Sequence, residues 1–390
     1  MVEEVAHPEN NFQFSVFSYI FSKQPYIVTA DHRLVTSWHF LFLPSEHPNI
    51  VFVDSLEGVQ ATSKWGLWNE PCPPPPPHPP FVIRDCGEKG MGMFARRSIA
   101  RGELIILERP IYVTQPNVSV HPDQQRTFYE ASLAGLSSAT QASFMSLRNA
   151  RPETQSESPI FGRILTNALA VKVPHSKVRF PGLFPQLCRA NHDCAPNAHY
   201  FFCAETFTGH FYAVRAIAAG EEITMGYIDP MASREQRQSL LSAKYKFRCT
   251  CMTCELPPAR VLLSDARRQA IAEYFLGMKD TGSKFPKDAT LPHVKDLVRW
   301  AEEEGLVEGA SILIMSGLRL AQRDGNHSEM LKFTADAVNY IRAMEGNDSA
   351  GFAMVASRLG FSAQQLASIF DDGLPIDYTL FERMLAKKQV

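Results

Sequence analysis

Three thiols crowd one short segment of this chain. Cys249, Cys251 and Cys254 form C-x-C-x-x-C. Thiolates so arranged can face one tetrahedral ion, and they favour zinc. A fourth ligand is required, and no fourth cysteine lies close by in sequence. Cys194 is the first candidate, because it sits in the polar cluster Asn191-His192-Asp193-Cys194; Cys188 and Cys203 are rivals, and His192 and His199 weaker ones. Four ligands close the shell and exclude water, so the metal would be structural. It would pin the C-terminal end of the strand domain beside Asn191-His192. Unligated core cysteines are the plain alternative. The polar cluster makes a demand of its own, since buried polar groups are costly without hydrogen-bond partners. Downstream, AGEEITMGY (219–227) brings two acids into a short strand that ends at Tyr227.

These groups need a scaffold, and the bulk properties bound it. The 390 residues suffice for two domains or for one with a large insertion. A hydrophobic content of 45% supports a real core, and a net charge of -2 argues against a broadly basic nucleic-acid-binding surface. No apolar run approaches the roughly 18 residues of a membrane span. The opening MVEEVAHPENN is acidic where a secretory leader is basic. Eight cysteines in this length are too few for a disulfide scaffold. A reducing, intracellular compartment is expected, in the nucleus and/or cytoplasm.

Residues 1–70 form an N-terminal extension rich in aromatics, from Phe12 to Phe42, with no recognisable chemistry. It should pack against the main domain, and VTSWHFLFL (35–43) fits a strand or a short buried helix. Residues 71–80, PCPPPPPHPP, read as a stiff polyproline spacer. A docking site for a proline-recognising partner is the alternative. Residues 81–111 read as three strands separated by turns, with Gly87, Gly90 and Gly92 giving backbone freedom and close approach. KGMG is no dinucleotide fingerprint, because no helix follows it. Residues 112–180 turn helical, with short helices in PDQQRTFYEASLAGLSS and QASFMSLRNA and a helix-to-strand change across 156–173. Residues 181–232 return to strands, including a hairpin over 199–217 expected to turn at Gly209. Residues 233–256 hold a charged helix (234–247) running into the cysteines. Residues 257–390 are helical, with helices expected at 262–277, 291–304, 306–323, 326–344, 348–359 and 362–371. Their lengths suit a tetratricopeptide-like layout, although repeat signatures are not clear.

Taken together, GEKGMGMFARRSIARGELI (87–105), LFPQLCRANHDCAPNAHY (183–200), RAIAAGEEITMGYIDP (215–230) and YKFRCTCMTC (245–254) resemble the SET-domain protein-lysine methyltransferases. The likeness is to fungal SET proteins and to the SMYD type, whose SET domain is split. It covers about 81–256 and implies an α+β fold: a SET β-fold with a pseudoknot, in which 187–197 threads beside 222–227. It also implies a helical insertion, a zinc-bound post-SET segment and a C-terminal helical region. The cofactor it implies is S-adenosyl-L-methionine. Lys89, Met91 and Gly92 match the glycine loop that contacts it. Asn191 and His192 match the pair that holds its amino-acid and adenine parts, largely through backbone and amide groups. Asn167 lies where split-domain relatives contact cofactor. Tyr245 and Phe247 match the aromatic pair of which one ring stacks by the adenine and the other lines the lysine channel. Tyr227 matches the tyrosine at the methyl-transfer centre, and Cys194 becomes the fourth zinc ligand beside Cys249, Cys251 and Cys254.

The chain departs from this pattern in three places. Asp193 stands where serine is commoner, and Gly226 lacks a side chain that would shape the channel. The MYND zinc module of the SMYD type is absent, because eight cysteines cannot furnish its ligands once four are used. The expected activity is in-line methyl transfer to a lysine of a protein or peptide, histones among them, by a monomer that needs neither membrane nor nucleic acid. A binding protein that no longer transfers methyl, and an enzyme acting on a small molecule, are the competing readings.

Overall fold

The computed structural model describes residues 38–43, 49–69, 72–74, 76–118, 120, 122–151, 158–347, 349–358 and 361–368. The aromatic residues Phe12 to Tyr26 and the end of the last expected helix, at 371, lie outside them.

Strand β1 (Trp38–Leu43) settles the ambiguous WHFLFL segment and pairs antiparallel with β2 (Ile50–Ser55). Helix α1 (Leu56–Ser63) follows, its first turn capped by the Ser55 hydroxyl accepting from Gly58 N–H at 3.1 Å. Past the proline stretch come β3 (Phe81–Asp85), β4 (Met91–Ala95), β5 (Leu104–Glu108) and β6 (Tyr112–Thr114). The insertion supplies α2 (Pro122–Ala134), α3 (Ser138–Met145) and α4 (Pro159–Asn167), then β7 (Leu169–Lys172) and β8 (Arg179–Leu183). The remaining strands are β9 (Asn191–His192), β10 (Ala198–Cys203), β11 (Thr208–Ala213) and β12 (Glu222–Met225). Helix α5 (Arg234–Tyr245) leads into the cysteines. The C-terminal region contains α6 (Pro258–Thr281), α7 (Leu291–Glu303), α8 (Val307–Arg323), α9 (His327–Glu345), α10 (Ala350–Arg358) and α11 (Ala363–Ser368).

The strands form three sheets, ordered β1-β2-β6-β8-β7, β3-β4-β12-β9 and β10-β11-β5. In the first, β2 runs parallel to β6, with Val51 opposite Tyr112. The described part of the extension, residues 38–43 and 49–69, therefore packs against the rest of the chain, and the proline stretch divides the sequence without dividing this sheet. Strand β2 reads IVFVDS because both of its faces are covered. Ile50 and Phe52 enter the main core with Val113 and Phe184, while Val51 and Val53 enter a second core with Tyr112, Tyr129, Phe144 and Ile164 from the insertion. A strand alternates its side chains between faces, so a sheet between two apolar layers needs an unbroken apolar run.

The pseudoknot is visible in the second sheet. Two-residue β9 lies parallel to β12, Asn191 opposite Thr224 and His192 opposite Met225. Asn197 secures it from the side, donating through Nδ2 to Glu222 O at 2.8 Å and accepting from Thr224 N–H at 2.8 Å.

One turn differs from expectation. The β10–β11 hairpin turns at residues 204–207, and Gly209 sits inside β11 opposite Phe202. A Cβ at Gly209 would come within 3 Å of Leu187, Phe184 and Tyr200, so glycine is required there for packing. Phe207 takes the left-handed position instead, at φ 54°. That conformation costs a non-glycine residue about 1–2 kcal/mol. Burial of its ring against Phe52, Trp65 and Phe202, at centroid distances of 5.4, 5.6 and 5.1 Å, more than offsets it.

In the C-terminal region, successive helices pack around Phe275, Leu297, Leu313 and Phe333. Helix α9 also docks on the hairpin, where Gly346 leaves room for the Tyr212 ring. No helix among the described residues is long and apolar enough to cross a membrane.

Candidate functional site

Two cavities flank the pseudoknot. The larger, of about 780 Å³, is lined by Lys89, Met91, Asn167, Asn191, His192, Tyr227, Tyr245 and Phe247. These eight positions, scattered over the sequence, line one cavity. Gly92 lies behind its lining: a Cβ there would stand 2.3 Å from Cys86 Sγ and 2.9 Å from Asn191 Nδ2. Its missing side chain is what lets Asn191 seat. Gly87 and Gly90, at φ 66° and 77°, make the turn ahead of β4.

The cavity's charged end is an ion pair, Lys89 Nζ to Glu222 Oε2 at 3.1 Å. Asn191 Nδ2 donates to the other oxygen of Glu222 at 2.8 Å. Asn191 Oδ1 is left without a donor among the described residues. Asn167 Nδ2 is committed to the Arg148 and Arg163 carbonyls at 2.7 and 2.8 Å, so this residue builds the wall from α4. Glu222, Arg148, Arg189 and Cys86 also line the cavity. Glu222 stands in the GEE motif, which was a usable signal; Arg148, in the insertion, offered none.

Tyr227 forms the floor. Its hydroxyl donates to Ala190 O at 2.7 Å, and its ring lies 5.0 Å from that of Tyr245 and 5.4 Å from that of His192. Burial raises its pKa well above the ordinary phenol value, so it stays protonated. His192 bridges two features. Its Nδ1 accepts from Tyr227 N–H at 3.1 Å, which leaves the proton on Nε2, 3.3 Å from Cys194 Sγ. Burial pushes this imidazole down to about 4, hence neutral. Both ring nitrogens are used within the protein, so the backbone and ring face of His192 are what remain for a ligand.

The sulfurs of Cys194, Cys249, Cys251 and Cys254 all lie within 4.8 Å of one another. None is in a disulfide. Cys194 Sγ and Cys254 Sγ are 3.6 Å apart, against an edge of about 3.8 Å for a tetrahedron with zinc–sulfur bonds of about 2.3 Å. The donor set thus fits zinc. Cys188 donates instead to Asn167 O at 3.0 Å, Cys203 to Glu205, and His199 faces Glu308 at 3.4 Å.

The smaller cavity, of about 120 Å³, opens toward the C-terminal helices and is lined by His199, Tyr200, Gly226 and Glu308, among others. Leu169, His192, Asp193 and Met225 belong to both cavities. The two are therefore separated by little more than the Met225-Tyr227 backbone.

Residues 90–228 match the family model described as SET domain. These residues form a SET domain. The chain is similar to histone-lysine N-methyltransferase set5 of Schizosaccharomyces pombe, which is 29% identical over 270 residues, 69% of this chain and 80% of that protein. Histone-lysine N-methyltransferase SMYD3 of Homo sapiens is 33% identical over 98 residues, 24% of this chain and 22% of its own length. N-lysine methyltransferase SMYD2-B of Danio rerio is 24% identical over 210 residues, 54% of this chain and 41% of its own. The chain thus spans less than half of these SMYD relatives. Helices α2–α4 lie within the SET match, and the four-cysteine segment and the C-terminal helices follow it, giving a mixed α+β fold.

Proposed function

We propose that the protein is an S-adenosylmethionine-dependent protein-lysine N-methyltransferase. The observation that carries this reading is the pair of cavities meeting at the Met225-Gly226-Tyr227 backbone, one large enough for a nucleotide-like cofactor and one narrow. The larger cavity falls within the usual 300–1,000 Å³ of small-molecule sites. Bound S-adenosylmethionine supplies an electrophilic methyl group on its sulfonium sulfur.

The chain's own residues bind, orient and exclude water. Asn191 Oδ1 is an acceptor for the cofactor's ammonium group, and the Lys89–Glu222 pair complements the charges of its amino-acid end. Tyr245 and Phe247 give the apolar wall for the adenine and the path to the reaction centre. Cys194, Cys249, Cys251 and Cys254 hold a structural zinc that fixes this wall against β9.

The substrate lysine enters through the smaller cavity. It must arrive as a neutral amine, although its reference pKa is about 10.4. Desolvation in a narrow cavity disfavours the charged form and lowers that value. The cavity residues would present the neutral amine to the methyl group that the cofactor would supply, with S-adenosylhomocysteine as the leaving group and the amine proton passing to solvent. Most of the acceleration comes from alignment. The Tyr227 hydroxyl has its proton committed to Ala190 O, so its lone pairs are what it offers. It orients the amine as an acceptor and is too weakly acidic to serve as a base.

Protein lysines, histones included, are the proposed substrates, in the nucleus and/or cytoplasm; the names of the set5 and SMYD relatives support this. The test is incubation of purified protein with S-adenosylmethionine and a pool of proteins, followed by mass spectrometry. Methyl-lysine should form, and should vanish in Tyr227→Phe. Cofactor binding without any methylated protein would reject the reading in favour of a binding protein or a small-molecule enzyme.

A further inference from the structure

The four-cysteine site lies against a side chain that looks, in REQRQSLL, like one more surface charge. Arg237 of α5 is only 1% exposed. Its Nη1 donates to Ala232 O at 2.6 Å. The nearest carboxylate oxygen, Asp265 Oδ1, is 3.8 Å away and already accepts from Arg234 N–H at 2.8 Å. Its Nε has no hydrogen-bond partner among the described residues. Arg237 and Cys194 line the same small cavity, and the neighbours of Arg237 on α5 grip the cysteine segment, Arg234 Nε donating to Cys254 O at 2.6 Å and Gln238 Nε2 to Cys249 O at 2.7 Å.

Arg268 of α6 shows what a satisfied buried guanidinium looks like in the same protein. It is 0% exposed, and Glu304 Oε2 pairs with it at 3.2 Å. Ser264 and the Pro230 and Glu304 carbonyls take its other donors. Arg237 has no such carboxylate to itself. A buried cation persists only beside matching negative charge. Four thiolates around a divalent ion carry an excess of two negative charges. The orphaned Nε and the unbalanced metal shell answer each other.

We propose that Arg237 is the counter-charge of a metal held by Cys194, Cys249, Cys251 and Cys254, and that retention of the metal depends on it. Arg237 also borders the smaller cavity; the role proposed for it is that of a positioning residue for the metal shell, read from zinc affinity and not from turnover. The inference rests on the zinc reading of these cysteines. The two fail differently: a full-length protein without bound zinc rejects the zinc reading, whereas equal zinc affinity in wild type and variant rejects Arg237 alone.

The experiment measures zinc release from the full chain to a chromophoric chelator. Arg237→Met keeps the bulk and removes the charge, and should weaken zinc affinity about 10–100-fold, the usual effect of losing an outer-shell partner. Arg237→Lys keeps the charge and should retain most of the affinity. Arg248→Gln removes an exposed charge beside Cys249, 68% accessible and paired with Glu255, and should change nothing. Thermal unfolding gives the readout that a merely structural role would not move. Arg237→Met should lower the melting temperature of the zinc-loaded protein more than that of the zinc-stripped protein. Unchanged affinity in Arg237→Met, an equal loss in Arg237→Lys, or equal destabilisation with and without zinc would each overturn the proposal. If Arg237→Met does not fold, Arg237→Lys against Arg248→Gln decides: zinc retained in both supports it, and zinc lost from the lysine variant refutes it.

Discussion

Gly226 is the position where one methyl group has the clearest predicted consequence. It lies in the wall of the smaller cavity, of about 120 Å³, immediately before Tyr227. A Cβ built on it meets no atom within 4 Å, and its φ is outside the left-handed region. Gly226→Ala therefore introduces neither clash nor backbone strain. It removes freedom from the unfolded chain, so stability should hold or rise by about 0.4–1 kcal/mol. The added methyl takes its space from the cavity. On the lysine-methyltransferase reading, that space receives the growing methylammonium head of the substrate. One methyl in an apolar pocket discriminates by about 1–3 kcal/mol, or about 10–200-fold in kcat/KM. Transfer of the first methyl should be little changed, and transfer to an already methylated lysine should fall by that factor. The assay is mass spectrometry of products from matched peptides carrying unmethylated, monomethylated and dimethylated lysine. An unaltered product distribution from a variant that melts with the wild type would refute the reasoning. So would an equal loss on all three peptides, because that places the methyl across the common reaction path.

Two further outcomes follow from groups around the site. Ser233 closes a capping box on α5, its hydroxyl accepting from Gln236 N–H at 3.3 Å while Gln236 Oε1 accepts from Ser233 N–H at 3.0 Å. Ser233→Ala should cost about 0.5–2 kcal/mol in urea unfolding, and no change would show that the helix start is held by Arg234 alone. Glu108 of β5 braces the turn before β9, accepting from Leu187 N–H at 3.0 Å, and burial raises its carboxyl to about 7. The folded state then holds this proton to higher pH than the unfolded chain does. Its contribution to stability is full below about pH 4.5 and is lost as pH rises through 7. Glu108→Gln should flatten the fall in stability across that window, and a slope identical to wild type would count against it.

The site was legible where its chemistry is local. Cys249-x-Cys251-x-x-Cys254 and Asn191-His192-Asp193-Cys194 state their ligand types within a few residues, and α7 to α9 show their helical period plainly. What stayed hidden depends on distant partners. Gly209 reads as a turn until Phe184, Leu187 and Tyr200 close around it. Phe207 gives no hint that it would accept a left-handed backbone, because the Phe52 and Trp65 rings that reward it lie more than a hundred residues earlier. Strand β2 shows a buried apolar run but not its parallel partner at Tyr112. Arg237 looks solvated because helix patterning cannot reveal that its side chain is only 1% exposed.

The order β1-β2-β6-β8-β7 also has a consequence for biosynthesis. Strand β2 leaves the ribosome long before its partner β6, and β6 must wait for Gly182 and Leu183 of β8. Until then the nascent chain carries Val51, Phe52 and Val53 beside an unpaired strand edge, a template for association with other chains. Pairings so distant along the chain form slowly, since loop-closure entropy is lost before the contacts are gained. The newly made protein therefore has most need of chaperones during that interval.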